Sequence, residues 1–220
     1  MSLTEQLEQA GLAIIPILGL SVMALAVIFE RLLRCRRATI VPDDLVRHVS
    51  DLWRAGDFDA VADQAMRSDS TLGRMIAYMA QHPHLGADTV SNVVGEIASL
   101  ELRTHQQKVY PLSIAATVAP IIGLLGTVLG MIEAFHVIAF SGAMGDPALL
   151  AAGISKALVN TAAGLSVALP SLLAYHFFKN RIAHFGLELE KRAGALIRDW
   201  FPQPKTIAGA REREAAGHAH

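Results

Sequence analysis

The chain has 220 residues, of which 52% are hydrophobic and 18% are charged, and its formal net charge is -1 at pH 7. With a mean hydropathy of +0.38, it is too apolar for an ordinary soluble domain and is typical of a membrane protein with a sizeable polar portion. The balanced charge provides no basic surface for a phosphate backbone, so nucleic-acid binding is excluded.

The first long apolar segment covers residues 11–29 and contains no charged side chain, so it is long enough to cross a bilayer as a helix. It is preceded by Glu5 and Glu8 without any Lys or Arg, and the basic residues follow it instead. Because a secretory signal has the opposite order, this segment is predicted to be an uncleaved membrane anchor with its N-terminus outside.

A more polar segment follows and is predicted to form short amphipathic helices. Apolar residues at helical spacing follow three helix starts, Pro42-Asp43, Gly56-Asp57 and Ser70-Thr71. These stripes predict a small helical bundle. From Ala87 the apolar pattern continues into Val109, which predicts one long helix that enters the membrane and that Pro111 and Pro120 kink without ending.

Two further apolar spans, residues 109–132 and 157–178, are joined by a connection rich in turn-forming residues, which predicts an antiparallel hairpin. Basic residues flank the spans on the side of the large polar segment and the C-terminal tail. They are Arg31, Arg34, Arg36 and Arg37 after the first span, Arg103 and Lys108 before the second, and Lys179, Arg181, Lys191 and Arg192 after the third. The positive-inside rule therefore predicts a three-span topology with the N-terminus outside and the C-terminus in the cytoplasm.

Small residues recur at helical spacing in the second and third spans. In the second they are Gly123, Gly126, Gly130 and Ala134, and in the third they include Gly153, Ala157 and Gly164. Such stripes allow close contact between helices, either within one subunit or between subunits. Because three helices cannot enclose a wide pore, the sequence favours a homo-oligomer.

Two charged residues, Glu133 and Lys156, interrupt the apolar hairpin. Counted from the connection, both lie about 10 Å inside the outer membrane edge, so we expect an ion pair within or between subunits. The pair either holds neighbouring helices in register, or Glu133 exchanges protons and Lys156 tunes its proton affinity. A third alternative is that Lys156 extends its amine toward the outer membrane interface, which its long apolar stem allows.

Two sequence blocks carry a family resemblance. The second span contains APIIGLLGTVLGM and the third contains GISKALVNTAAGLSVALP, while Glu30-Arg31 closes the first span. With these blocks, the chain resembles the ExbB/TolQ/MotA proton-channel family and is most similar to ExbB and TolQ. The resemblance implies a stator subunit in the bacterial inner membrane, arranged as a pentamer around a single-span ExbD- or TolR-like partner. Such a complex uses the proton motive force to energise TonB or TolA.

The resemblance also implies site residues. Thr127 and Thr161 match the pore-facing threonines of the family, although a lone membrane threonine more often bonds to its own helix. Lys156 occupies the position of the family's third-span glutamate, so the usual channel carboxylate is missing. The expected proton pathway consists of Thr127, Thr161, Glu133, Lys156 and Asn160. The expected helix-packing residues are Gly123, Gly126, Gly130, Gly153, Gly164, Pro120 and Pro170.

The predicted fold is an all-α integral membrane protein with three transmembrane helices, long helices that extend into a cytoplasmic bundle, and a homo-oligomeric ring. The predicted segments are 1–10 (periplasmic), 11–33 (transmembrane helix 1), 34–108 (cytoplasmic helical domain), 109–140 (transmembrane helix 2), 141–148 (periplasmic loop), 149–178 (transmembrane helix 3) and 179–220 (cytoplasmic helix and tail).

Three functions compete on the sequence alone. The first is an ExbB-like channel subunit for TonB-dependent transport, with a TolQ-like subunit as the variant that the same motifs allow. The second is a passive scaffold for a one-span partner, which the missing third-span carboxylate favours. A small transporter is disfavoured because the spans show no internal repeat. No phosphate loop, nucleophile elbow or metal-ligand cluster is present in the sequence, which predicts no enzyme activity, metal or cofactor.

Overall fold

A computed structural model of the chain describes residues 13–34, 42–140 and 147–201. The predicted periplasmic segment 1–10, most of the predicted loop 141–148 and the tail from residue 202 onward lie outside the described residues, as do Arg36 and Arg37. The described part is helical and contains no strand, as the sequence predicts. Its helices are α1 (Ile14–Arg34), α2 (Asp43–Arg54), α3 (Phe58–Arg67), α4 (Thr71–Gln81), α5 (Ala87–Gln107), α6 (Tyr110–Phe140) and α7 (Pro147–Trp200).

Three stretches of the described chain are long and apolar enough to cross a membrane as helices. They are Ile14–Leu33 in α1, Ala87–His136 across α5 and α6, and Leu150–Trp200 in α7. Each agrees with one of the three spans that the sequence predicts. The second and third stretches are much longer than a bilayer requires, so each also includes residues from the polar segments of the sequence.

The expected single helix from Ala87 into the second span is wrong in one respect. The structure ends α5 at Gln107 and begins α6 at Tyr110, with a turn at Lys108 and Val109 between them. Pro111 explains the break, because it lacks an N–H group and its ring clashes with the carbonyl group of Gln107, four residues earlier. The second proline, Pro120, lies inside α6 without ending it, as expected.

The described chain divides into two units. The first contains α1, the end of α5 from Arg103 onward, α6 and the part of α7 up to Ala183. In this unit α1 packs against α6. Many large apolar side chains on all three helices are exposed, including Val22 and Phe29 on α1 and Ile121 on α6. Such a surface suits lipid or neighbouring membrane helices.

The second unit contains α2, α3, α4, the part of α5 up to Leu102 and the part of α7 from His184 onward. The predicted helix starts are confirmed: the Asp57 carboxylate accepts the Ala60 N–H at 3.1 Å, and the Ser70 hydroxyl accepts the Gly73 N–H at 2.9 Å. Gly56 links α2 to α3 with φ of 78°, a conformation that glycine adopts without strain.

An aromatic cluster joins the last turn of α7 to α2 in the second unit. The rings of Trp53 and Trp200 are stacked with their centroids 4.2 Å apart, and Phe58 and Phe201 contact the Trp53 ring from other directions. Trp200 and Phe201 are each only 6% exposed. The apolar stripes predicted from the sequence therefore bury their side chains in a helical bundle, which the end of α7 completes.

Candidate functional site

Helices α6 and α7 contact each other through their small residues. A Cβ atom added to Gly164 would lie 2.5 Å from the carbonyl oxygen of Ala119, and one added to Gly123 would lie 2.8 Å from the carbonyl oxygen of Asn160. Real Cβ atoms do not approach backbone atoms this closely, so only glycine permits the observed separation of the two helices. We call this contact the α6/α7 seam, formed by Ala119, Gly123, Gly126, Gly130 and Ala134 on α6 and by Gly153, Ala157, Asn160 and Gly164 on α7.

The small-residue stripes of α6 and α7 pack against each other in the seam. The predicted packing glycines on both helices face the other helix of the same chain, and an added Cβ at Gly153 would collide with the Ala134 side chain. This is the within-subunit alternative, which the sequence disfavoured. Pro120 and Pro170 lie inside α6 and α7 without ending them. These residues are therefore occupied within one chain, so any contact with a second copy would use other faces of the two helices.

Glu133 and Lys156 form an ion pair across the α6/α7 hairpin. The Lys156 Nζ donates to Glu133 Oε2 at 2.8 Å, within one subunit. The Lys156 side chain is 30% exposed and that of Glu133 is 63% exposed, so the pair lies at the edge of the seam. The sequence predicted this ion pair because both residues lie at the same depth in the hairpin. The structure shows that the two partners belong to the same chain.

Asn160 is the most deeply buried polar side chain in the seam. It is 2% exposed and packs against Gly126, where an added Cβ would lie 2.9 Å from its Nδ2 atom. Its Oδ1 atom has no hydrogen-bond partner among the described residues. A buried amide oxygen without a partner is costly. A water molecule or another hydrogen-bond donor would satisfy it.

The two threonines have different partners. Thr161 donates from α7 across the seam to the carbonyl oxygen of Gly123 at 3.3 Å, whereas Thr127 donates at 2.6 Å to the carbonyl oxygen of Leu124 in its own helix. The commoner pattern of a membrane threonine therefore applies to Thr127 and not to Thr161. Thr161 and Asn160 lie at one level of the seam, and the ion pair lies about one turn earlier in α7, at Lys156.

The burial of Arg31 was not anticipated. The side chain at the end of α1 is 2% exposed, and its guanidinium donates to Glu30 Oε1 at 2.6 Å, while its Nε atom has no partner within the described ranges. The sequence marks Glu30 and Arg31 as the end of the first span but does not indicate burial. Because an arginine near a membrane edge usually extends toward water, only a structure could reveal this placement.

The described ranges contain no group of three or more His, Cys, Asp or Glu side chains that could hold a metal ion. The polar contacts between α6 and α7 in the described ranges include the ion pair, the packing of Asn160 on Gly126 and the hydrogen bond from Thr161. Among the described residues of 110–140 and 147–178, Glu133 and Lys156 are the only Asp, Glu, Lys or Arg residues. Charged residues at such positions in membrane proteins usually mark ion or proton pathways.

The helical fold, the three apolar stretches and the paired charges define a multi-pass membrane protein with a polar site between two of its helices. The MotA/TolQ/ExbB proton channel family matches residues 63–191, which is more than half of the chain. The chain belongs to this family.

Curated relatives have related names. The putative biopolymer transport protein ExbB-like 1 of Synechocystis sp. is 29% identical over 231 residues, covering 96% of this chain and 87% of the relative. The biopolymer transport protein ExbB of Neisseria gonorrhoeae is 38% identical over 147 residues, covering 66% and 64%. The biopolymer transport protein exbB1 of Vibrio cholerae is 26% identical over 174 residues, covering 78% and 76%. The similarity thus extends over most of the chain.

Proposed function

We propose that the chain is an ExbB-like proton-channel and stator subunit of a motor complex in the bacterial inner membrane. In this role it uses the proton motive force to energise TonB-dependent transport across the outer membrane. Membership of the proton channel family and the ExbB-named relatives support the proposal. The proposed topology has the N-terminus in the periplasm, spans at 11–33, 109–140 and 149–178, and the bundle and the C-terminus in the cytoplasm.

The observation that carries the proposal is the polar site in the α6/α7 hairpin. An ion pair, a buried amide and a threonine hydroxyl lie together in helices that are otherwise apolar, and each is expensive to maintain in a membrane. A helix pair that served only as an anchor would not require them. A role in relaying a proton or ordering water would explain why these polar groups are present.

The proposed assembly is a pentamer around a single-span ExbD- or TolR-like partner, with a TonB- or TolA-like protein as the energy transducer. The seam uses the small residues within each subunit, so subunit contacts would use the exposed apolar faces of α1, α6 and α7. Five subunits would surround the partner helix with α6 and α7. The partner then supplies the aspartate that Lys156 cannot replace.

In this arrangement Glu133 and Lys156 hold α6 and α7 in register. Thr161, which is partly exposed, faces the proton path beside the partner's carboxylate, and the buried Asn160 lies behind it in the seam. The 2.8 Å contact supports the structural role of the pair, because each charge neutralises the other inside one subunit. Thr127, whose hydroxyl is bonded to its own helix, is proposed as a pore residue only from its place in the GLLGTVLGM block.

A passive scaffold is the second candidate, and one observation favours it. Within the described parts of the apolar hairpin, Glu133 is the only carboxylate, and Lys156 already engages it. A chain with no available acid could hold a one-span partner without conducting protons. A TolQ-like role in the Tol system is the variant of the channel proposal that differs only in the transducer.

The test is performed in cells that lack their own ExbB and TolQ. The chain is co-expressed with a single-span ExbD-like protein, and uptake of a ferric siderophore through a TonB-dependent receptor is measured with and without a protonophore. Protonophore-sensitive uptake supports the proposal. Restored outer-membrane integrity without uptake would assign the chain to the Tol system, and neither activity, despite an assembled complex, would contradict an energising role.

A further inference from the structure

A cavity of about 350 Å³ lies in the first unit, where the charged end of the second span faces the charged end of the third. Arg103 comes from the last turns of α5, and Lys179 follows the apolar part of α7 by one residue. The side chains of both residues line the cavity, and no Asp or Glu does. The cavity is therefore cationic and of a size that suits a small anionic group.

The two cations lack carboxylate partners in the described chain. Neither Arg103 nor Lys179 forms an ion pair there, and the ammonium of Lys179 lies 5.7 Å from the centroid of the Tyr175 ring. By contrast, Arg74 and Lys156 each contact a glutamate at 2.8 Å. Two positive charges on one cavity without a compensating acid point to an anion as the missing partner.

The remaining lining adds hydrogen-bond donors and an apolar floor. Gln106, Tyr110 and Tyr175 contribute amide and hydroxyl groups, while Val109 and Ile182 form the floor and are each only 1% exposed. Amides, hydroxyls and a guanidinium are the groups that bind phosphate oxygens in proteins.

The place of the cavity along the chain indicates where the anion comes from. The apolar part of α6 begins at Tyr110 and that of α7 ends at Phe178, so the cavity lies at the level where both spans leave the apolar layer. Tyrosines at this level and basic pockets between spans are typical of contacts with phospholipid headgroups. This is also the end of the spans that carries the basic residues.

We propose that the cavity formed by Arg103, Lys179, Tyr110 and Tyr175 binds the phosphate group of an anionic phosphate ester, supplied by a phospholipid headgroup or by a soluble phosphate ester. The bound group would bridge the end of α5 and the middle of α7. The proposal goes beyond proton conduction and does not depend on it.

The experiment is a lipid titration of the full-length chain, purified with its co-expressed partner and monitored by native mass spectrometry. The probes are phosphatidylglycerol and phosphatidylcholine, and glycerol 3-phosphate serves as the soluble competitor. We expect phosphatidylglycerol to bind more tightly than phosphatidylcholine. Arg103→Gln and Lys179→Gln should each weaken it about five-fold, and the double variant about 25-fold, from the usual contribution of a basic residue near an anionic headgroup.

Two controls separate the cavity from general surface charge and from misfolding. Lys108→Gln removes an exposed cation that does not line the cavity, so it should keep wild-type affinity. The double variant Arg103→Lys/Lys179→Arg preserves both charges and should retain most of the binding. If the Gln double variant fails to fold, the two single variants still provide the measurement.

Competition assigns the source of the phosphate. Displacement of phosphatidylglycerol by millimolar glycerol 3-phosphate would support a site for soluble phosphate esters, and lack of displacement would support a lipid site. Equal affinity for phosphatidylglycerol and phosphatidylcholine would overturn the proposal. Wild-type affinity in folded Arg103→Gln and Lys179→Gln variants would also overturn it.

Discussion

At the scale of single residues, Lys156 is the feature that distinguishes this chain from the pattern it resembles. A lysine on α7 places a positive charge where the resemblance implies a glutamate, and Glu133 on α6 supplies the matching negative charge at 2.8 Å. The pair keeps one carboxylate and one cation in the hairpin without leaving either uncompensated.

The pair should behave as a coupled unit when either partner is removed. Glu133→Gln or Lys156→Met alone leaves a charge in an apolar hairpin, so each should lower the thermal stability of the detergent-solubilised chain. The double variant should recover part of the loss, with a coupling free energy between about 0.5 and 3 kcal/mol. The measurement is a double-mutant cycle of unfolding free energies.

The matched control is the same cycle with Lys179→Met in place of Lys156→Met. Lys179 lies 23 residues further along α7, about 35 Å away, so its effect should simply add to that of Glu133→Gln. Additivity in the Lys156 cycle as well would mean that the contact contributes nothing to stability.

At the scale of helices, the α6/α7 seam fixes the separation of the two helices that carry the site. Gly164→Ala would place a Cβ 2.5 Å from the Ala119 carbonyl oxygen, so the helices would have to move apart. We expect a loss of about 1 to 3 kcal/mol, the usual cost of overpacking. The same change at Gly19, where no atom lies within 4 Å of the added Cβ, should be neutral within about 0.5 kcal/mol.

Thermal unfolding in detergent compares the two alanine variants directly. Equal melting temperatures for Gly164→Ala and Gly19→Ala would contradict the close contact at the seam. A lower value for Gly164→Ala alone would support it, and the distance between the helices could then be followed with a disulfide or spin-label pair.

The aromatic cluster of the second unit should hold the end of α7 on α2. Trp200→Ala removes a ring stacked 4.2 Å from Trp53, with an expected cost of about 3 kcal/mol, or roughly a 100-fold faster hydrogen exchange of the α2 amides. Leu187→Ala, on the same helix but 67% exposed, should leave this exchange unchanged. Unchanged exchange in Trp200→Ala would show that α2 does not depend on the contact.

Sequence periodicity predicted which segments are helical better than it predicted which helices pack against each other. The spans, the starts at Asp57 and Ser70, and the pairing of Glu133 with Lys156 follow from apolar runs, capping residues and depth along a helix. The sequence favoured contacts between subunits for the glycine stripes, whereas the structure uses them between α6 and α7 of one chain. Sequence cannot separate the two cases, because a face of small residues looks the same whether its partner helix is in the same chain or in another. The break at Lys108 was missed because Pro111 was expected only to kink the helix.

The candidate site was predictable in its residue types but not in its contacts. Asn160 and Thr161 were named from a resemblance, whereas the packing of Asn160 on Gly126 and the bond from Thr161 to Gly123 depend on the register of two helices. Sequence alone does not give that register. The cavity at Arg103 and Lys179 was likewise hidden, because its residues lie more than 70 positions apart in the chain.

At the scale of the whole molecule, the chain combines a three-span unit with a helical bundle, and it belongs to a proton channel family. The exposed apolar faces of its spans leave room for the proposed ring, while the seam keeps α6 and α7 together in each subunit. In the proposed complex, protons pass at the level of Thr161 and Asn160, beside a carboxylate of the partner, and the ion pair holds the helices in register.

The most direct test is proton uptake into liposomes that contain the chain and its co-expressed single-span partner under an imposed potential. The account predicts flux in the wild type and in Glu133→Gln, and loss of flux in Thr161→Val, which removes the hydroxyl but keeps the side-chain shape. Loss of flux in a correctly assembled Glu133→Gln complex would make Glu133 a proton carrier and contradict its structural role. No flux in an intact wild-type complex would contradict the account's central claim that the assembly conducts protons.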